Sequence, residues 1–473
     1  MRRTWKHFLS MLLVFAMVLS LGTVGFALDE ETEAAAPAEE AAEEAGSTGV
    51  ELSFEKVDND IISQRLPLAH DEVEEDEPMY ADDELVRVSI VLNGASALDA
   101  GYAPASAGAY RAGLRAEQDA MANKISAQAL NGAPLDVVWN LTLAGNIISA
   151  NVEYGQVEAI RNVIGVRDVV IELRYYPTED DTQNITATEM TGATAAWNLG
   201  YTGAGSKIAV VDTGLDTDHQ SFDAAAFQYA IDELNETRET PVVLMTEADV
   251  ATVWDQLNAA QWLDLDGVYR DVKVPYGVNY VDRGYDITHD NDSQGEHGSH
   301  VAGIAAANKY IPSGNGYVKA LETVKTQGQA PDAQLLIMKV FGKGGGAYDS
   351  DYMAAIEDAL TLGCDAVNLS LGSSVAGFTT NDTYAELLDK LTQFGLVWCN
   401  SAGNSYSWTH FSTGDHYLFA DDVNYQTGGS PATYHNSLSV ASVDNKGFAS
   451  YVIKASEAPI FSTPRPMATA MSL

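Results

Sequence analysis

The chain contains the stretch Ile208-Ala209-Val210-Val211-Asp212-Thr213-Gly214, in which a short apolar run ends in a carboxylate and a glycine-bearing turn. An apolar run without polar alternation is typical of a strand that is buried on both faces. Similar runs occur at residues 335–340, 366–369 and 396–399, and helical patterns lie between them. From about residue 186 onward the sequence therefore predicts an α/β fold, with a mostly parallel sheet and helices on both of its faces.

A different order of patterns precedes this region, between residues 84 and 178. The runs lie at 86–92 (strand), 110–130 (helix), 135–143 and 146–154 (strands), 156–162 (helix) and 166–173 (strand). The order β-α-β-β-α-β predicts a small α+β domain of ferredoxin-like topology, with both helices on one face of its sheet. Later in the chain, residues 224–290 interrupt the alternation of strands and helices, and we predict that they form a long surface insertion.

Residues 1–27 indicate export. Basic residues precede an apolar run, and small residues follow that run as far as Ala27, which is the plan of a signal peptide. We therefore predict a secreted or cell-surface protein without a membrane span after signal cleavage. The alternative, a membrane anchor, needs a longer apolar run. Residues 28–83 are rich in Glu and Ala and predict a disordered acidic spacer.

Charge and cysteine content limit the partners and the cross-links of the chain. The sequence has 26 Lys and Arg against 67 Asp and Glu, which gives a formal net charge of −41. Nucleic acid and anionic membranes would repel such a protein, so neither is predicted as a partner. The two cysteines, Cys364 and Cys399, are predicted to be buried thiols, and a disulfide between them is the alternative.

Asp212 is the first candidate for chemistry, because it ends a predicted buried strand, where open α/β sheets place their sites. An Asp-Thr-Gly segment also occurs in aspartic proteases, but their site needs a second carboxylate from an equivalent segment. No second Asp-Thr-Gly and no Asp-Ser-Gly occurs in the chain, which argues against that alternative.

His297 is the second candidate. It opens the segment His297-Gly298-Ser299-His300-Val301-Ala302-Gly303, whose small residues predict a helix in a crowded core. The positive end of a helix dipole disfavours a charged imidazole, and a neutral imidazole is what a general base requires. Two alternatives remain. One is zinc binding by His297 and His300, which lacks the Glu of a His-Glu-x-x-His frame, and the other is a purely structural role.

Asn404 is the third candidate. It lies in Ser401-Ala402-Gly403-Asn404-Ser405, directly after the predicted strand that ends at Cys399. Its amide is placed to donate a hydrogen bond to a developing oxyanion. Gly-Asn alone is equally typical of an ordinary turn, so this segment carries weight only together with the other two.

In this order, the three segments resemble the subtilisin family of serine proteases (peptidase S8), and in particular the lactocepin-like cell-surface subtilases of Gram-positive bacteria. Two family motifs match Asp212-Thr213-Gly214 and, with Ser299 in place of Thr, the segment that begins at His297. The resemblance implies a serine endopeptidase that hydrolyses extended polypeptides. It also implies that Asp212 and His297 belong to the catalytic triad and that Asn404 binds the oxyanion.

The resemblance implies further sites. Ser370, Leu371 and Gly372 match the family's strand that pairs with an extended substrate. Residues 84–178 are similar to an inhibitor I9-type propeptide, which implies an intramolecular inhibitor of a peptidase domain at residues 186–473. No cofactor is required, and no metal site is predicted. Calcium often stabilises members of the family. Its candidate ligands here are Asp216, Asp218, Asp290 and Asp292, and solvated loop acids are the alternative.

One family motif is missing from the sequence. The family's nucleophile lies in Gly-Thr-Ser-Met-Ala, and no serine after Asn404 has that context. Ser472 lies beside Met471, but a single residue follows it, so no helix begins there to position its hydroxyl. We therefore expect the peptidase domain to be C-terminally incomplete, truncated before the catalytic serine, with little or no peptidase activity. The alternative is a protein that binds peptides without cleaving them.

Overall fold

The computed structural model of the protein describes residues 80–177, 187–288, 295–372 and 382–403, which belong to one compact unit. Shorter described segments cover residues 409–411, 417–419, 430–434, 436–441, 451–455 and 458–463. The predicted signal peptide at 1–27 and nearly all of the predicted spacer at 28–83 lie outside the described residues.

The N-terminal part of the described chain is a small antiparallel sheet with two helices, which we call the small domain. Its elements are β1 (Leu85–Leu92), α1 (Gly108–Ala129), β2 (Asp136–Leu141), β3 (Ile147–Glu153), α2 (Val157–Arg161) and β4 (Val166–Ile171). The strand order is β2-β3-β1-β4, and β1 pairs antiparallel with both β3 and β4. The structure confirms the predicted β-α-β-β-α-β order.

The two faces of the small sheet have different neighbours. Val88 of β1 packs in one apolar cluster with Ile125 of α1 and Ile160 of α2, so both helices cover one face, as predicted. Val91 of β1 and Trp139 of β2 belong to a second cluster, which extends into the larger part of the molecule. The small domain is therefore joined to the rest of the described chain through an apolar core.

The larger part of the described chain is built around a parallel sheet of six strands, and it also contains shorter strands outside that sheet. Its strands are β5 (Arg174–Pro177), β6 (Lys207–Asp212), β7 (Tyr276–Asn279), β8 (Tyr310–Ser313), β9 (Gly316–Lys319), β10 (Gln334–Lys339), β11 (Ala347–Tyr348), β12 (Ala366–Leu369), β13 (Leu371–Gly372), β14 (Val397–Ser401), β15 (Thr409–Phe411), β16 (Tyr417–Phe419), β17 (Leu438–Val440), β18 (Tyr451–Ala455) and β19 (Ala458–Thr463). Its helices are α3 (Ala187–Met190), α4 (Ala193–Asn198), α5 (Ala224–Asn235), α6 (Glu247–Val253), α7 (His297–Ala306), α8 (Ala320–Thr323), α9 (Asp349–Thr361) and α10 (Asp382–Thr392). The central sheet has the order β17-β14-β12-β6-β10-β7, and every pairing in it is parallel.

All the predicted buried strands belong to this sheet, so the predicted α/β class is confirmed. Successive residues of its strands point to opposite faces. Val211 of β6 and Met338 of β10 belong to the apolar cluster that contains α9. Val210 and Ile337 belong to another cluster, together with Ala302 of α7. Because helices cover both faces, the strands have no polar alternation, and this is why continuous apolar runs predicted them.

The prediction of a surface insertion at residues 224–290 is wrong for part of that range. Tyr276–Asn279 form β7, a fully buried edge strand of the central sheet. Val250 and Leu257 are also fully buried, in the cluster that contains α9. A strand of four residues and helices of one or two turns are too short to give a recognisable hydrophobic period, so the sequence did not reveal them.

Short elements complete the described chain. The pairs β8–β9, β15–β16 and β18–β19 are antiparallel hairpins. Turns of 3-10 helix occur at Pro104–Ser106, Tyr154–Gln156, Gln220–Phe222, Trp254–Gln256 and Ala259–Gln261. Cys364 and Cys399 are both free thiols, the first buried and the second half-buried. Within the described ranges, no helix combines the length and the apolar character needed to span a membrane.

Candidate active site

Asp212 ends β6 at the carboxyl edge of the central sheet, and its side chain is fully buried. Its Oδ1 atom accepts a hydrogen bond of 2.6 Å from the backbone N–H of Thr213. In the neighbouring strand β10, the Nζ of Lys339 donates to the backbone oxygen of Thr213. These contacts fix the turn after β6 and, with it, the direction of the carboxylate.

His297 is the first residue of α7, and its imidazole meets the Asp212 carboxylate. Its Nδ1 atom lies 2.7 Å from Asp212 Oδ1, and its side chain is 11% exposed. An ionised carboxylate only accepts hydrogen bonds, so this contact places the proton of a neutral ring on Nδ1 and leaves Nε2 as the basic nitrogen. A general base that is oriented by a carboxylate requires this arrangement.

The contact depends on the close approach of two turns. The backbone N–H of Gly298 donates to Thr213 Oγ1 at 2.8 Å, and the N–H of Asp216 donates to Ser299 Oγ at 2.7 Å. A Cβ atom on Gly298 would lie 2.3 Å from the backbone oxygen of Gly214, so only glycine allows this spacing. Ser299, which stands where the family motif has Thr, supplies the hydroxyl of the second hydrogen bond.

An extended segment of the same chain is held between two short strands. β5 is the middle strand of a three-stranded antiparallel sheet of order β11-β5-β13. Leu371 and Gly372 of β13 pair with residues 177 and 176, respectively, and β11 pairs with residues 174 and 175 on the other side. The strand that the sequence predicts to bind an extended substrate is thus paired with an extended segment of this chain. We call the space between β11 and β13 the groove.

The groove lies at the same edge of the central sheet as the carboxylate–imidazole pair. β12 runs parallel to β6, with Leu369 opposite Val211. Ser370 follows Leu369 and is therefore level with Asp212, and β13 begins directly after it. The carboxyl ends of parallel strands meet at one edge, so the sheet brings the carboxylate–imidazole pair and the groove together.

The small domain contacts the first turn of α9 through buried acidic groups. Glu172, which precedes β5, accepts hydrogen bonds from the backbone N–H (3.2 Å) and the Oγ (2.7 Å) of Ser350. Arg87 lies 3.3 Å from Asp351, which also accepts a hydrogen bond of 2.8 Å from Trp139 Nε1. Burial raises the pKa of Glu172 and of Asp351, although Arg87 acts in the opposite direction on both.

Several predicted site residues cannot be placed. Asn404, Ser472, Asp290 and Asp292 lie outside the described residues. Of the remaining candidate calcium ligands, Asp216 accepts a hydrogen bond of 3.2 Å from the backbone N–H of Asp218. The part of the chain that is described contains no group of three or more His, Cys, Asp or Glu side chains arranged to hold a metal ion.

Sequence reasoning missed the second wall of the groove. β11 (Ala347–Tyr348) was not predicted, and neither was a role for Asp349, which follows it. The signal was the run of glycines at residues 344–346. Gly346 has a φ of 73°, and a Cβ there would lie 3.1 Å from the backbone oxygen of Tyr175, so this glycine favours the close approach of β5.

The chain is similar in sequence to known proteins. The profile of the Subtilase family (Peptidase S8) matches residues 203–470. The chain is 32% identical to the PI-type proteinase of Lactococcus lactis subsp. cremoris over 307 residues, which are 63% of this chain and 14% of that protein. It is 32% identical to the Minor extracellular protease Vpr of Bacillus subtilis over 232 residues, 47% of this chain and 21% of that protein. The chain thus matches only a small part of the length of these relatives.

Among solved structures, fervidolysin from Fervidobacterium pennivorans, a keratinolytic enzyme related to subtilisin, aligns with 74% of this chain and 42% of its own. The sequence identity is 19% and the TM-score is 0.40, which is too low for a comparison of the two sites.

The substitution Gly298→Ala tests the close approach of the two turns. The added Cβ would lie 2.3 Å from the oxygen and 2.8 Å from the nitrogen of Gly214, and because both are backbone atoms, the start of α7 must move away. We expect the free energy of unfolding to fall by about 1–3 kcal/mol, as measured by thermal denaturation.

Gly303→Ala, in the same helix, is the matched control. A Cβ there has Phe222 Cζ at 4.0 Å as its nearest neighbour, and alanine favours a helix by roughly 0.5–1 kcal/mol over glycine. The control should be as stable as the unaltered protein or more stable. Equal melting temperatures for the two variants would contradict the packing described here.

Proposed function

The chain belongs to the subtilase family, and from this premise we propose that it is the precursor of a serine endopeptidase that hydrolyses extended polypeptides. The observation that carries the proposal is the contact of 2.7 Å between His297 Nδ1 and Asp212 Oδ1. It lies at the sheet edge where the chain holds an extended segment in the groove.

In the proposed mechanism, Asp212 orients the imidazole and stabilises its charged form. His297 Nε2 then removes the proton from a serine hydroxyl as the serine attacks the peptide carbonyl, and later delivers it to the leaving amine. The amide of Asn404 donates to the oxyanion, together with a backbone N–H. These steps use side chains and backbone only and need no cofactor.

In the proposed mode of binding, a substrate takes the place of β5. Its backbone pairs with Leu371 and Gly372 of β13 on one side and with β11 on the other, as an added strand. While β5 occupies the groove, substrate is excluded. Residues 84–178 would therefore act as an intramolecular inhibitor of the peptidase domain, which is how the family resemblance assigns them.

We also propose that the protein is exported to the cell surface or beyond. The pattern of a signal peptide at residues 1–27 supports this, and so does the relative from Bacillus subtilis that is named as an extracellular protease. The residues of the predicted signal peptide lie outside those that the structure describes.

No serine after Asn404 lies in the sequence context of the family's nucleophile, Gly-Thr-Ser-Met-Ala. We expect a fluorophosphonate probe to label no serine in the 473-residue chain, because an unactivated hydroxyl reacts poorly. Labelling is measured by gel fluorescence and mass spectrometry. A labelled serine in this chain would show that the nucleophile has been misassigned.

A second version of the chain tests the roles of the base and its carboxylate. In it, residues 442–473 are replaced by a subtilase segment that includes Gly-Thr-Ser-Met-Ala. We expect this version to be labelled, and we expect His297→Ala to reduce its labelling rate by at least about 10³-fold. A version that folds but is not labelled would contradict the proposed acid–base roles, and peptide binding without labelling would favour a protein that only binds peptides.

The buried carboxyls predict that release of the small domain depends on pH. Burial raises the pKa of Asp349 to about 7, with a further contribution from Glu172, and it also raises the pKa values of Glu172 and Asp351. Exposed carboxyls titrate near about 4. Between about pH 4 and about pH 7, the chain with its small domain docked therefore binds more protons than the chain with its small domain released. Docking weakens as the pH rises through this range.

We expect hydrogen exchange at residues 173–177, corrected for the intrinsic rate, to be roughly 10-fold faster at about pH 8 than at about pH 5.5. The variant Glu172→Gln, which keeps the shape of the side chain, should show a smaller dependence. Protection that increases with pH would contradict this assignment of the buried acids.

A further inference from the structure

The side chain of Tyr175 lies in a closed pocket of the larger part of the molecule. Tyr175 is the β5 residue that pairs with Ala347 of β11, and it has no exposed surface. Its ring packs edge-on against that of Tyr352 in α9, with the centroids 5.5 Å apart and an angle of 82° between the planes. Because β5 occupies the groove, this pocket receives one side chain of any segment bound there.

The pocket is aromatic, but it contains a carboxylate. Asp349, the first residue of α9, is fully buried, and its Oδ1 accepts hydrogen bonds from the hydroxyls of Tyr175 (2.9 Å) and Tyr352 (2.8 Å). Its Oδ2 accepts a hydrogen bond of 2.8 Å from the backbone N–H of Leu173. One of these three donors belongs to β5 and another to Leu173, the residue directly before it, so the carboxylate is directed at the occupant of the groove as well as at its own helix.

This geometry discriminates between side chains. Tyrosine fills the aromatic space and also donates to Asp349, whereas phenylalanine fills the same space and leaves an acceptor without that donor. Asp349 Oδ1 would keep only the donor from Tyr352, and sites that hydrogen-bond a hydroxyl reject analogues that lack it. A leucine would lose both the hydrogen bond and the edge-on ring contact with Tyr352.

We propose that this pocket selects a tyrosine in the polypeptide substrate, and that Asp349 is the residue that determines this specificity. In β5, Tyr175 lies two positions before Pro177, which is the residue that pairs with Leu371. The selected substrate residue therefore lies two positions before the substrate residue that pairs with Leu371. Tyr175 is then the intramolecular stand-in for that substrate residue. The inference rests on the proposed function, in which β5 occupies the place of the substrate.

The pocket can be tested in the full chain without any peptidase activity. Tyr175→Gly removes the whole side chain and leaves a cavity of its shape, for which p-cresol and toluene are matched ligands that differ by the hydroxyl. We expect p-cresol to bind about 10-fold more tightly than toluene, as measured by titration calorimetry and by thermal shift. Equal affinities would overturn the proposal.

Further variants assign the preference to the carboxylate. In the Tyr175→Gly background, Asp349→Leu should abolish the preference for p-cresol. If the leucine variant does not fold, Asp349→Asn, which keeps the shape of the side chain, should reduce the preference. Tyr352→Phe removes the competing hydroxyl from the same carboxylate oxygen and should retain the preference or increase it. A preference that persists without the carboxylate would overturn the role of Asp349.

Labelled peptides then connect the pocket to the groove. In a full-length chain whose residues 174–177 are all replaced by glycine, the intramolecular segment loses its side-chain contacts and competes weakly for the groove. The peptide Arg-Tyr-Tyr-Pro, with the sequence of β5, should bind to this chain about 10-fold more tightly than Arg-Phe-Tyr-Pro, as measured by fluorescence anisotropy. If both peptides bind equally, the groove assignment stands and the selectivity is overturned. If p-cresol is preferred but neither peptide binds, the groove assignment fails, and the proposed role in substrate selection fails with it.

Discussion

The pairing of β5 along both of its edges is the constraint on which the rest of the structure depends. β11 and β13 each contribute only two residues, so neither would hold an extended segment alone, but together they enclose it. The segment leads directly out of the small domain, and its position therefore fixes the small domain against α9. Burial of Glu172, Asp349 and Asp351 follows from that position.

Helix α9 links the two features that matter for function. All of its residues are buried, its first residue contacts the side chain in the groove, and its first turn accepts the small domain. Farther along the helix, Glu357 meets Arg111 of α1 at 3.7 Å, and both side chains are fully buried. Docking of the small domain and the proposed recognition of a side chain thus use one helix, so protonation of the buried carboxyls in its first turn affects both.

The central sheet and the small domain were predictable from the sequence, because long apolar runs and clear helical spacing carry a strong periodic signal. The segments of Asp212 and His297 stood out because they match a family motif, and the structure brings the two side chains together. β7, β11 and Asp349 were missed for physical reasons. β7 and β11 are too short to show a period, and the role of Asp349 depends on donors far away in the sequence, which no local pattern reveals.

The central claim is that residues 174–177 occupy the substrate groove, and disulfide trapping tests it most directly. Tyr176 and Gly372 are partners in the antiparallel pairing, where Cα atoms lie about 4.5–5.5 Å apart, within the range of a disulfide. The account predicts that Tyr176→Cys with Gly372→Cys oxidises spontaneously, while the out-of-register pair Arg174→Cys with Gly372→Cys stays reduced, as measured by mass spectrometry. A first pair that stays reduced, or equal oxidation of both pairs, would contradict it.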